Sequence, residues 1–71
     1  MPKTIHTNEY LKIVKKLKQA RLDAGLTQQE VAEKLKKPQS YVSKVEAGEQ
    51  RIDIIELKCF SNLYKKNLNF F

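Results

Sequence analysis

The chain holds one cysteine, one histidine, two glycines, two prolines and no tryptophan. A single Cys59 excludes an internal disulfide framework, and with His6 far off in sequence it forms no zinc-ligand spacing. Cys59 lies among Leu57, Phe60 and Leu63, so a plain buried thiol is expected there rather than a nucleophile. His6 stands alone in a polar leader and is expected to be solvated. Two Gly and two Pro are too little punctuation for the many turns of an all-β fold. No run approaches the ~20 apolar residues of a membrane span, and Met1 to Thr7 has no apolar stretch of signal-peptide type. There is no Gly-rich phosphate loop, and no His or Cys stands beside a catalytic partner. These absences speak against an enzyme, a bound metal or other cofactor, and a membrane partner. A reducing cytoplasm is the expected compartment.

What remains is a short, basic, globular chain. Its 71 residues allow one small domain, 1–71, and the 14 Lys plus Arg against 8 Asp plus Glu leave a net charge of +6. Hydrophobic residues at 41% and charged residues at 31% fit a folded chain rather than a disordered one. A domain of this size buries only about 60% of its unfolded surface, which leaves no room for a deep substrate cavity or a ligand-sensing domain. One compact all-α module with a basic surface is the expectation.

Four helices can be placed from periodicity and capping. Residues 1–7 read as a loose arm. From about Asn8 to Ala24, Tyr10, Ile13, Val14, Leu17, Ala20 and Ala24 recur at helical spacing, and Gly25 suits the left-handed position that stops a helix. Thr27 with Glu30 forms a capping box, flanked by Leu26 and Val31 as a hydrophobic staple, and starts a short second helix ending near Lys36 or Lys37. Pro38 suits the first turn of a third helix running to about Ala47, with Gly48 after it. Asp53 and Glu56 repeat the box, with Ile52 and Leu57 as staple, and Leu57, Phe60, Leu63 and Tyr64 supply the packing face of helix four. Lys65 and Lys66 favour the negative end of its dipole. Asn67 to Phe71 is left as a short C-terminal turn or the start of a fifth helix.

Helix three divides into two sides at about 100° per residue. Val42 and Val45 mark the buried side, and the opposite arc carries Gln39, Ser40, Ser43, Lys44 and Ala47 without one acidic residue. Gln and Lys make forked contacts to base edges, Ser adapts, and Ala admits close approach or meets a thymine methyl. The same arc also reads as an ordinary solvated face. Tyr41 lies on the flank, with two outcomes open: a phosphate contact through its hydroxyl, or packing of its ring against helix two or four. Lys12, Lys15 and Lys16 cluster on the outer face of helix one, where solvation is the expectation.

The string Arg21-x-x-x-Gly25-Leu26-Thr27-Gln28-x-Glu30-Val31-Ala32-x-x-Leu35, followed by Ser40-x-Val42-Ser43-x-Val45-Glu46-x-Gly48, resembles the helix-turn-helix domain of the phage lambda repressor and Cro family, also called the XRE family. The resemblance runs from Leu17 to Leu63 and implies a four-helix bundle whose helix-turn-helix spans about 27–47. It implies that Gln28 contacts a phosphate and that Gln39 reads a base, often paired with that glutamine. Ser40, Ser43 and Lys44 match further base-facing positions. Arg51 falls in a loop that runs beside the DNA backbone, and Ala32 is the small residue where the two helices cross. Arg21 and Glu46 match a salt bridge tying helix one to the end of helix three. One departure stands out: Lys36 occupies a turn position usually held by Gly. It leaves either a left-handed Lys at a cost of about 1 kcal/mol or a different turn with a different tilt of helix three.

The function these residues imply is sequence-specific recognition of double-stranded DNA by a transcriptional regulator. A homodimer on a palindromic operator is expected, its recognition helices about 34 Å apart. Leu68, Phe70 and Phe71 offer apolar area either for that dimer or for capping the chain's own core. The rival reading is an antitoxin or adaptor whose helix-turn-helix acts mainly with a protein partner.

Overall fold

The computed structural model describes residues 7–71, so His6 and all of the expected arm except Thr7 lie outside the described residues. Four α-helices and one short 3-10 turn follow in order: α1 (Asn8–Asp23), α2 (Gln28–Leu35), α3 (Gln39–Glu46), α4 (Ile54–Tyr64) and the turn Leu68–Phe70. There is no strand among the described residues. The expected helix boundaries stand to within a residue or two. Thr7, assigned to the arm, instead caps α1, its hydroxyl accepting from the Tyr10 amide at 3.2 Å. Both expected capping boxes close: Thr27 with Glu30 on α2 and Asp53 with Glu56 on α4.

The core draws on every helix. Leu17 and Ala20 from α1 meet Val31 and Ala32 from α2, Val42 and Val45 from α3, and Phe60 and Tyr64 from α4, all buried; Val14 of α1 is buried outside this cluster. Val31, Val42 and Val45 are fully enclosed at 0% exposure, so α2 and α3 are locked together by their apolar faces. Ala32 is buried as well, leaving the small side chain where α3 has to approach. The Tyr41 ring lies parallel to Phe60 at 6.3 Å between centroids, and Phe60 continues to Tyr64 at 5.9 Å. Phe70 and Phe71 pack half-buried against this core and edge-to-face on each other at 5.1 Å. The C-terminal aromatics thus pack on the chain's own core while keeping part of their surface exposed, and Leu68 is exposed beside them. Cys59 corrects the sequence reading: it is exposed, on the flank of α4 beside the cleft that Tyr41, Glu56 and Phe60 line. Apolar neighbours in sequence do not bury a residue on the flank of a helix, a distinction that composition does not carry.

All four helices end in the same way. After each, one residue turns left-handed, its amide bonding three residues back and the next amide five residues back, which satisfies carbonyls left over by the helix. Gly25 and Gly48 fill this position after α1 and α3 at φ 73° and 76°, and Lys36 and Lys65 fill it after α2 and α4 at φ 58° and 59°. The turn between α2 and α3 therefore keeps its left-handed shape with lysine in the place of glycine. The cost is local strain between Cβ and carbonyl, of order 1 kcal/mol at each lysine. We expect Lys36→Gly to raise stability by about 1 kcal/mol, and Lys65→Gly to do the same independently. Thermal melting monitored by circular dichroism checks this; a loss of stability in either variant would show that the lysine side chain contributes more than its backbone costs.

Candidate nucleic-acid interface

The arrangement around α3 is set from behind by one buried ion pair. Arg21, on the last turn of α1, donates from Nε to Glu46 Oε2 at 2.7 Å and from Nη2 to Glu46 Oε1 at 3.1 Å. Its Nη1 donates to the Leu26 carbonyl at 2.8 Å, so the guanidinium also holds the loop entering α2. Glu46 Oε1 accepts a further bond from Gln28 Nε2 at 3.0 Å. The two charged side chains are only 9% and 5% exposed, so each needs the other to be tolerable inside the protein. The hydrogen bond to Glu46 pushes the Arg21 guanidinium up from its ordinary value, against the opposing effect of burial. One network thus pins the end of α1, the start of α2 and the end of α3.

Tyr64 lies beneath this network with its hydroxyl buried and without a partner among the described residues. Burial, and then the Glu46 carboxylate, push its phenol above the ordinary value of 10.0. Burial and the bond to Glu56 raise the Tyr41 phenol likewise. Both phenols are held neutral in the fold, so stability is fully present below pH 10.0 and is lost as pH rises above the unfolded chain's value. The ionisation of these tyrosines should then coincide with loss of helical signal in an alkaline titration. Tyr64→Phe removes an unsatisfied hydroxyl, and we expect it to stabilise the fold by about 1 kcal/mol and to shift alkaline unfolding to higher pH. An unchanged alkaline midpoint would contradict this.

On its outer side α3 is open. Gln39, Ser40, Ser43, Lys44 and Ala47 are all exposed, while Val42 and Val45 hold the opposite side. The structure thus brings all four expected base-facing side chains onto one free surface. The start of this helix differs from the other three. α1, α2 and α4 carry side-chain caps and an acidic residue in the first turn; α3 begins at Pro38 with no side-chain cap and no acid. Its first amides and the positive end of its dipole are left uncompensated, a setting that suits an anion.

The expected backbone contacts separate. Gln28 opens α2, but its side-chain nitrogen is bonded to Glu46 rather than directed at Gln39, which remains exposed at the head of α3. Its main-chain amide belongs to the first turn of α2, where the capping box takes up the Glu30 amide. Arg51 is exposed in the loop after α3. Tyr41 packs: its hydroxyl donates to Glu56 Oε2 at 2.7 Å, and the Lys37 ammonium lies 5.2 Å from its ring centroid. A phosphate would have to displace a carboxylate from that hydroxyl, a charge-assisted bond of the stronger kind.

Two features escaped the sequence reading. Tyr10 counted there only as part of an apolar stripe, yet its hydroxyl bonds the loop carrying Arg51. Lys65 counted only as a dipole partner, although the Lys-Lys pair after helix four repeats the Lys36-Lys37 pair after helix two.

The family model described as "Helix-turn-helix" matches residues 17–71. No curated protein matches the chain. The match covers most of the chain and includes the α2–turn–α3 unit, so the protein belongs to the helix-turn-helix family of the lambda Cro and repressor (XRE) type. It is an all-α helix-turn-helix protein of a DNA-binding family whose usual role is transcription regulation. No helix among the described residues is long and apolar enough to cross a membrane.

Proposed function

We propose that the chain is a sequence-specific regulator of transcription that places α3 in the major groove of double-stranded DNA and binds a palindromic operator as a homodimer. The observation that carries this reading is the free face of α3: four polar or basic side chains, no acid, and an uncapped positive end, braced from behind by the Arg21–Glu46 pair. Gln39, Ser40, Ser43 and Lys44 read base edges. The amides opening α2 at Gln28, together with Arg51, hold phosphates and set the register. One module of this size covers too few base pairs for genomic selectivity, which is the reason for two-fold pairing on half-sites about 34 Å apart. No cofactor takes part, and control runs through protein concentration in the cytoplasm.

A protein-docking role, as antitoxin or adaptor, is favoured by one observation of its own. Ile54 and Ile55, adjacent at the start of α4, are 58% and 62% exposed, apolar surface that a protein partner would cover. Enrichment of bound duplexes from a random library at about 0.15 M salt separates the two readings. An enriched palindrome carries the regulator. A folded protein that enriches nothing, or that enriches only with a co-purified partner, carries the docking role.

A further inference from the structure

Tyr10 stands on α1, far in sequence from the recognition unit, and ties down the loop that follows α3. Its hydroxyl donates to the Gln50 carbonyl and accepts from the Ile52 amide, each at 3.2 Å. These two bonds bracket one residue, Arg51, whose guanidinium carbon lies 5.8 Å from the Tyr10 ring centroid, within reach of the ring's negative face. The other end of the same loop is tied to α3, since the Glu49 and Gln50 amides both donate to the Lys44 carbonyl, at 2.9 and 3.2 Å. The loop is therefore suspended between Lys44, on the exposed face of α3, and Tyr10, on α1. Gly48 begins it with φ 76°, and a Cβ there would press on Leu11 of α1 at 3.3 Å, so α1 and this loop are in close contact at two points.

We infer that Tyr10 is a positioning residue for DNA binding: it fixes Arg51 in register with α3 so that a phosphate contact and the base contacts are made together. This rests on the DNA-binding reading given above. A flexible arginine on an untethered loop would lose part of its contact to the entropy of ordering the loop, and the tether removes that cost before DNA arrives. Tyr10 itself touches no nucleic acid.

Tyr10→Phe keeps the ring and removes both bonds. In the free protein, hydrogen exchange at the Ile52 amide should speed up in Tyr10→Phe and stay unchanged in Arg51→Ala. Binding is read with a duplex pool of mixed sequence over a range of salt. Arg51→Ala should lower the log–log salt slope by about 0.9 and weaken binding about tenfold, the scale of one charge-assisted contact. Tyr10→Phe should move both quantities in the same direction by a smaller amount, with circular dichroism confirming a folded chain. In the Arg51→Ala background, Tyr10→Phe should have no further effect on either. Independent, additive losses would overturn the inference, as would a Tyr10→Phe protein that binds like the parent while Arg51→Ala does not. If the parent binds duplex DNA and Arg51→Ala is silent, the inference fails and the DNA-binding reading stands. If the parent does not bind the pool at all, that reading falls with it.

Discussion

Arg21→Ala is expected to remove most of the stability of this fold. The substitution leaves the Glu46 carboxylate in a buried position with Gln28 as its one remaining partner, and it strips the Leu26 carbonyl of its donor. Breaking a buried pair on one side costs roughly 3–5 kcal/mol, because the remaining charge stays in a poor solvent. A chain of this length has about 4–10 kcal/mol in total. At roughly 4–8 °C per kcal/mol for a domain this small, the melting temperature should fall by roughly 12–40 °C. Loss of DNA affinity would follow from unseating α3, with no change in which sequence is preferred by the molecules still folded. Replacing both partners with apolar residues, Arg21→Met with Glu46→Leu, should recover much of the loss, since no uncompensated charge remains. Thermal melts of the three proteins check this; an Arg21→Ala protein melting within about 5 °C of the parent would show that the pair contributes little to the fold.

The opposite pattern is expected on the outer face of α3. Gln39→Ala with Lys44→Ala removes two exposed side chains that the fold does not use, and surface changes of this kind move stability by about 0.5 kcal/mol at most. Each good base-edge contact discriminates by about 1–3 kcal/mol, so the pair should cost at least about thirtyfold in affinity for the preferred sequence. Affinity for unrelated duplexes should change far less, because phosphate contacts from α2 and Arg51 remain. Competition binding with the enriched duplex and with mixed-sequence duplex measures both. Equal losses on both would reassign the two residues to phosphates; no loss on either would remove α3 from the interface.

The contrast between these two predictions also marks what was legible in the amino-acid order. Helix starts were readable because Thr27–Glu30 and Asp53–Glu56 each satisfy two amides within four residues, a local matter that needs no tertiary context. The Arg21–Glu46 tie was within reach only through the family resemblance, since nothing local links positions 25 residues apart. Cys59 was misplaced, Tyr10 was read as apolar only and Tyr41 stayed open, all for a common reason. A residue on the flank of a helix, or an aromatic with a polar tip, is placed by its neighbours in space, which periodicity does not name. Lys36 and Lys65 were obscured by the strength of the glycine preference at left-handed helix ends; here the hydrogen-bonded turn outweighs a Cβ penalty of about 1 kcal/mol.

The central claim is that α3 meets DNA with its exposed side while α1, α2 and α4 hold it from behind. The most direct measurement is amide chemical-shift mapping of the labelled protein titrated with mixed-sequence duplex DNA at low salt. The expected result is a set of perturbations at Gln28, Gln29, Gln39–Lys44 and Glu49–Arg51, with the outer face of α4 silent. Perturbations confined to Ile54, Ile55 and Cys59, or a protein unmoved by excess DNA, would contradict it.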